Sequence, residues 1–292
     1  MRHPLIAVDE LAEALRSPRP PRLLDVRWQL GGPDGRSEYL LRHIPGAVFV
    51  DLENELAAHG DPTDGRHPLP VVDDLQAAAR RWGLHAGEAV VVYDDTAGQA
   101  AARAWWLLRY AGLADVRLLD GGLVAWEGAG HPVATDAVSP EPGDVELAYG
   151  ALPVLHMDDA AALAGRGVLL DARAAERYRG EVEPIDPVAG HIPGSVSAPT
   201  SGNLDADGRF LSPERLARRY AGLGVTDGTP VGVYCGSGVT AAHDALALTI
   251  AGFEPALYPG SWSQWSNHPD RPVETGPGIS AARNAAQRRG RA

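Results

Sequence analysis

The chain has 292 residues, of which 45% are hydrophobic, with one cysteine and a formal net charge of −12 at neutral pH. That length favours two domains with ordinary soluble cores. One cysteine excludes an intramolecular disulfide and a cysteine-cluster metal site, and it suits a reducing, cytoplasmic setting. The acidic balance argues against nucleic acid and anionic membrane surfaces as partners, and no apolar segment has the length expected of a signal sequence or a membrane span.

In chain order, apolar spacing predicts a helix over 8–15, a strand over 23–26 and a helix over 71–82, with Asp73 and Asp74 suiting its first turn. A buried strand follows over 90–93, then a helix of about 100–110 that stops at Gly112. A further strand begins at 118 and a short helix covers 123–126. Short apolar runs alternating with helical patterns make this an α/β chain, with a mainly parallel sheet covered by helices on both faces.

The pattern then repeats. Leu23-Leu24-Asp25-Val26-Arg27 returns as Leu169-Leu170-Asp171-Ala172-Arg173, and His43-Ile44-Pro45-Gly46 as His191-Ile192-Pro193-Gly194. Val90-Val91-Val92-Tyr93 returns as Val231-Gly232-Val233-Tyr234, and Gly121 with Trp126 as Gly260 with Trp265. The repeat unit is a whole domain. The polar, proline-rich stretch 139–144 marks the boundary. The expected organisation is a first domain over 1–138, a linker over 139–153, a second domain over 154–275 and a disordered, arginine-bearing tail over 276–292.

Cys235 ends the strand of the second copy and enters the loop Cys235-Gly236-Ser237-Gly238-Val239-Thr240-Ala241. Glycines at 236 and 238 let the backbone curl so that amide N–H groups converge. Those donors and the positive end of the following helix favour negative charge on the sulfur, which reads as a nucleophile rather than a buried apolar thiol. The first copy has Asp94 at the same place, and a carboxylate cannot be a sulfur nucleophile; that copy is expected to be chemically silent. His43 and His191 recur in both copies, the silent one included, so they read as turn-fixing residues, and Asp25 and Asp171 as anchors for nearby backbone.

Two copies of Leu-Asp-x-Arg and His-Ile-Pro-Gly with a cysteine loop in the second resemble the tandem rhodanese sulfurtransferases, from the start to about residue 273. The Cys-Gly-Ser-Gly-Val-Thr loop is similar to that of the 3-mercaptopyruvate-using members. The resemblance implies two tandem rhodanese-like domains and a reaction in which Cys235 takes a sulfur as a persulfide and gives it to cyanide, a thiol or thioredoxin. It implies no cofactor. It assigns donor binding to Arg177 and to the loop residues Gly236, Gly238, Val239 and Thr240, and a serine, histidine and acid set to Ser237, His67 and Glu53. Such enzymes usually carry a second arginine after a Glu-Pro pair; here Glu183-Pro184 is followed by Ile185, and Arg179 is the candidate replacement. This departure keeps thiosulfate open as the alternative donor.

The residues also bear on two rival chemistries and on an inert binding module. A cysteine phosphatase needs an arginine six residues after the cysteine, where Ala241 stands. A thiol redox sensor needs a resolving cysteine, which this chain does not have. A binding module with both copies inert would be expected to have lost the cysteine.

Overall fold

A computed structural model describes residues 3–278. The expected tail lies outside the described residues from 279 onward. Among the described residues the first unit comprises 3–58, 69–152 and 206–210, and the second 59–68, 153–205 and 211–278. The segment around His67 therefore belongs with the second copy's fold, a placement that the simple division by sequence does not contain.

In the first unit β1 (Leu5–Ile6), α1 (Val8–Ala14), β2 (Arg22–Asp25), α2 (Gly35–Leu41), β3 (Val48–Phe49) and α3 (Leu52–Glu55) are followed by α4 (Val72–Arg81), β4 (Val90–Tyr93), α5 (Ala101–Tyr110), β5 (Val116–Leu119) and α6 (Gly122–Gly128). Its sheet runs β1-β5-β4-β2-β3, every pair parallel. All four residues of β4 are buried. Val91 and Tyr93 join Leu11 of α1 and Trp126 of α6 in one core cluster, while α5 packs on β4 and β5. A strand covered on both faces has no polar side, which is why it reads as an unbroken apolar run. The expected linker lies along this unit. Gly143 N–H donates to Arg80 (2.8 Å) and Val145 N–H to Leu84 (3.2 Å), and Tyr149 stacks on Tyr110.

The second unit repeats the plan with α7 (Met157–Arg166), β6 (Val168–Asp171), α8 (Ala175–Tyr178), β7 (Val196–Ser197), α9 (Pro213–Gly222), β8 (Val231–Tyr234), α10 (Thr240–Ile250), β9 (Ala256–Leu257) and α11 (Ser261–Trp265). The sheet order is β7-β6-β8-β9, again parallel, and the place of β1 is reduced to a single parallel bridge from Val154 to Leu257. In both units the central strands pair in the same register, Asp25 with Tyr93 and Asp171 with Tyr234. Among the described residues no helix is long and apolar enough to cross a membrane.

The repeated motifs have matching structural roles. His43 Nδ1 meets the Tyr39 carbonyl at 2.8 Å and His191 Nδ1 the Tyr178 carbonyl at 2.7 Å, each imidazole stacked on that tyrosine. Tyr93 OH accepts from Ile44 N–H, and Tyr234 OH from Ile192 N–H. Asp25 and Asp171 each hold the guanidinium two residues on, and Arg27 and Arg173 in turn donate to the Arg42 and Gly190 carbonyls. Their anchoring of backbone thus passes mainly through an arginine.

Helix α10 carries a buried carboxylate, Asp244. It accepts from Asn203 Nδ2 at 2.6 Å, and the Asn203 carbonyl accepts from Arg219 and Tyr220, both at 3.0 Å. Burial pushes the Asp244 carboxyl up to about 7. Between its unfolded value near 3.8 and about 7 the folded chain holds a proton that the unfolded chain releases. Stability from this group is therefore full below that window and falls as pH rises through it. Asp244→Asn removes the charge, so its stability relative to the native chain should be higher at pH 8 than at pH 5, by about 2–3 kcal/mol. Thermal unfolding at the two pH values tests this; an equal effect at both would show that Asp244 does not titrate there.

Candidate active site

Strand β8 delivers Cys235 to the carboxyl edge of the second sheet, where its side chain is buried. Three contacts fix the loop behind it. Cys235 N–H donates to Ser261 Oγ at 3.1 Å, Trp262 N–H donates to the Cys235 carbonyl at 2.9 Å, and Ser263 N–H to the Gly236 carbonyl at 2.8 Å. Gly238 N–H turns back onto Cys235 Sγ at 3.1 Å. That turn needs Gly238 at φ +79°, and a Cβ there would run into the Pro259 carbonyl. Val239 and Thr240 complete the loop, Val239 buried and Thr240 opening α10.

The first copy shows how the same strand-to-helix connection treats a built-in anion. Asp94 takes the place of the cysteine, and its carboxylate accepts four backbone N–H bonds, from Thr96, Gly98, Ala100 and Ala101, at 2.8–3.0 Å. Burial raises its carboxyl while those amides oppose the rise. In the first unit the amides are occupied by a side chain of the protein itself.

Ser237 and His67, far apart in sequence, are brought together: Ser237 Oγ and His67 Nδ1 are 2.7 Å apart and both side chains are buried. Glu53 lies in the first unit, where its carboxylate accepts from Trp28 Nε1 at 3.0 Å.

Arg177, on α8, faces the loop. A Cβ on Gly236 would lie 3.5 Å from one Arg177 guanidinium nitrogen and 3.0 Å from a nitrogen of Arg66. Two guanidiniums therefore converge beside the cysteine loop, and the second is Arg66, not the expected Arg179. Arg179 is instead paired with Glu181 through Nε and Nη2, both at 2.7 Å, at a partly exposed position. The expectation fails because residues two apart at the end of a short helix point in different directions. Arg66 is the candidate site residue that the sequence reading does not reach. It stands directly before His67, yet only the backbone path of 59–68, pinned by Arg66 N–H to Ser263 Oγ at 3.0 Å, shows where it reaches.

Carboxylates hold both guanidiniums. Arg177 Nη2 donates to Glu183 at 2.7 Å and Asp186 at 3.1 Å, Arg66 Nη1 donates to the other Asp186 oxygen, and Arg173 Nη1 reaches Glu183 at 3.4 Å. Burial raises the Asp186 carboxyl, and the two arginines oppose it. A cleft of about 390 Å³, lined by His59, Arg66, Ile185, Asp186, Pro187 and Asn267, opens beside this group. A larger cleft of about 960 Å³ in the first unit, near Arg16, Arg19 and Trp126, is lined by no cysteine or serine and is a poorer candidate despite its volume. Trp262 is fully buried in the core with Arg173 over its ring at 4.7 Å, so it is a support rather than a pocket wall.

The family model described as the rhodanese-like domain matches residues 7–129 and again 156–268. The chain belongs to the rhodanese family. Over 275 residues this rhodanese is 49% identical to the Mycobacterium tuberculosis protein that carries the name thiosulfate sulfurtransferase SseB, covering 93% of this chain and 97% of that protein. It is 48% identical over 281 residues to a Pseudomonas aeruginosa protein named as a 3-mercaptopyruvate sulfurtransferase, covering 93% and 98%. The crystal structure of SseA from Escherichia coli superposes with a TM-score of 0.79 at 34% identity, over 89% of this chain and 98% of that one. The tandem α/β architecture is thus a rhodanese duplication, and the protein is a sulfurtransferase.

Proposed function

We propose that this rhodanese takes sulfur from 3-mercaptopyruvate onto Cys235 and passes it to a thiophilic acceptor, a thiol, thioredoxin or cyanide, with the silent first copy taking no part in the chemistry. The observation that carries the donor assignment is the pairing of Ser237 with His67 beside a loop that two guanidiniums face. A 2-oxo carboxylate offers an oxygen pair that a guanidinium grips bidentately. In the first half-reaction the Cys235 thiolate forms an S–S bond to the donor sulfur as the donor C–S bond breaks. The electron pair moves onto carbon as the pyruvate enolate, which then takes a proton. The Ser237–His67 pair is placed to deliver that proton. A thiosulfate donor needs no such proton, so a serine–histidine pair favours the carbon-bound donor.

In the second half-reaction the acceptor attacks the outer sulfur, the S–S bond breaks and the Cys235 thiolate is regenerated. A larger, more diffuse persulfide anion suits a fixed amide donor such as the Gly238 N–H, which meets Cys235 Sγ at 3.1 Å. A lone cysteine that must stay reduced between turnovers suits the cytoplasm. Thiosulfate is the second reading, favoured by Ile185 in the place of the usual arginine and by the name of the mycobacterial relative.

Steady-state turnover of both donors with cyanide as acceptor is the test. A higher kcat/KM for 3-mercaptopyruvate is expected; a tenfold advantage for thiosulfate would reverse the donor assignment and leave sulfur transfer standing.

A further inference from the structure

The two guanidiniums beside Gly236 already share an anion. One Asp186 oxygen takes Arg66 and the other takes Arg177, and the Asp186 side chain is only 2% exposed, against 26% for Arg66 and 17% for Arg177. The carboxylate is fixed from behind, because the Ile185 and Asp186 N–H groups both donate to Glu183 Oε1, at 3.2 and 3.1 Å. Ile185 itself turns outward, 40% exposed. The stretch that lacks the usual arginine thus places a carboxylate on the remaining ones.

Resting on the reading of Arg66 and Arg177 as the donor grip, we propose that Asp186 is a specificity-determining residue whose fixed negative charge biases this site toward a monoanionic sulfur donor and against a dianionic one. The connected network holds Arg66, Arg173 and Arg177 against Asp171, Glu183 and Asp186, so its formal charges cancel. A donor entering the grip meets the Asp186 charge at close range. Repulsion scales with the donor's own charge, so a doubly charged donor such as thiosulfate bears twice the penalty of a singly charged 2-oxo acid. Burial weakens the screening that would otherwise level the two.

Asp186→Asn keeps the shape and removes the charge. The ratio of kcat/KM for thiosulfate to that for 3-mercaptopyruvate should rise about tenfold, with a smaller rise at high salt. A purely structural role for Asp186 would lower both values together and leave the ratio unmoved. A second readout does not depend on the donor: calorimetric binding of sulfate and of pyruvate to the persulfide-free protein. Pyruvate should bind the native protein more tightly than sulfate, and the substitution should favour sulfate. An unchanged ratio, or a native protein that prefers sulfate, overturns the proposal; the native-protein measurement decides even if the variant fails to fold. Native protein inactive toward 3-mercaptopyruvate would remove the donor assignment alone, since the two anions still report on Asp186.

Discussion

Cys235→Ser should abolish sulfur transfer from either donor, with turnover falling by about 10⁴-fold or more, as expected when a nucleophile is removed from a site whose other parts remain. Serine is smaller than cysteine, and its hydroxyl still offers the Gly238 N–H an acceptor, so the loop has no reason to unfold. The variant should keep the thermal midpoint of the native protein within a few degrees. Intact mass after incubation with donor gives the direct reading: the native protein gains one sulfur and the variant gains none. Undiminished turnover in the variant would mean that the sulfur travels by another route and that the amide-lined loop is structural. The first unit is an internal comparison, because its own strand-to-helix connection holds Asp94, whose carboxylate takes four backbone amides.

The second large effect is expected at the guanidinium pair. Arg177→Ala should lower kcat/KM for 3-mercaptopyruvate about 100-fold, chiefly through KM, since a charge-assisted hydrogen bond of about 1.5–3 kcal/mol is lost from donor binding. Arg66→Ala should do the same to a similar degree, which distinguishes the pair seen here from one built on Arg179. Arg177→Lys keeps the charge but not the fork and should fall between. Each alanine variant also strips a cation from buried carboxylates, Glu183 and Asp186 for Arg177 and Asp186 for Arg66, so some loss of stability accompanies it. The two half-reactions separate these effects. Discharge of preformed persulfide by cyanide should proceed at the native rate, while loading by the donor is slowed. Equal slowing of both steps, or an unchanged KM, would remove the arginines from donor binding.

Much of this architecture is legible in the residues because strands buried on both faces must be apolar throughout. The apolar run over 90–93 matches strand Val90–Tyr93 residue for residue, and the helix stop at Gly112 falls where that glycine adopts positive φ. Strand β5 begins at Val116, two residues before the expected start, because Arg117 interrupts its apolar run. The two-residue strands β3 and β7 and the helix α2 were not anticipated, being too short or too polar for a period to register. The cysteine turn is legible for a local reason: a strand, a thiol and glycines in consecutive positions define one turn. The serine–histidine pairing was suggested by resemblance and needed the structure to bring residues 170 apart in sequence within 2.7 Å.

By itself the sequence determined the duplication, the parallel sheets, the placement of the one cysteine at a strand end and an aspartate at the matching place in the first copy. These depend on contacts between near neighbours and on patterns that recur. Only the tertiary structure decided that residues 59–68 fold with the second unit, that Arg66 rather than Arg179 stands beside Arg177, and that Asp186 sits between them. The reason is physical: a long charged side chain takes its direction from the carboxylates within its reach, and those are assembled from distant parts of the chain.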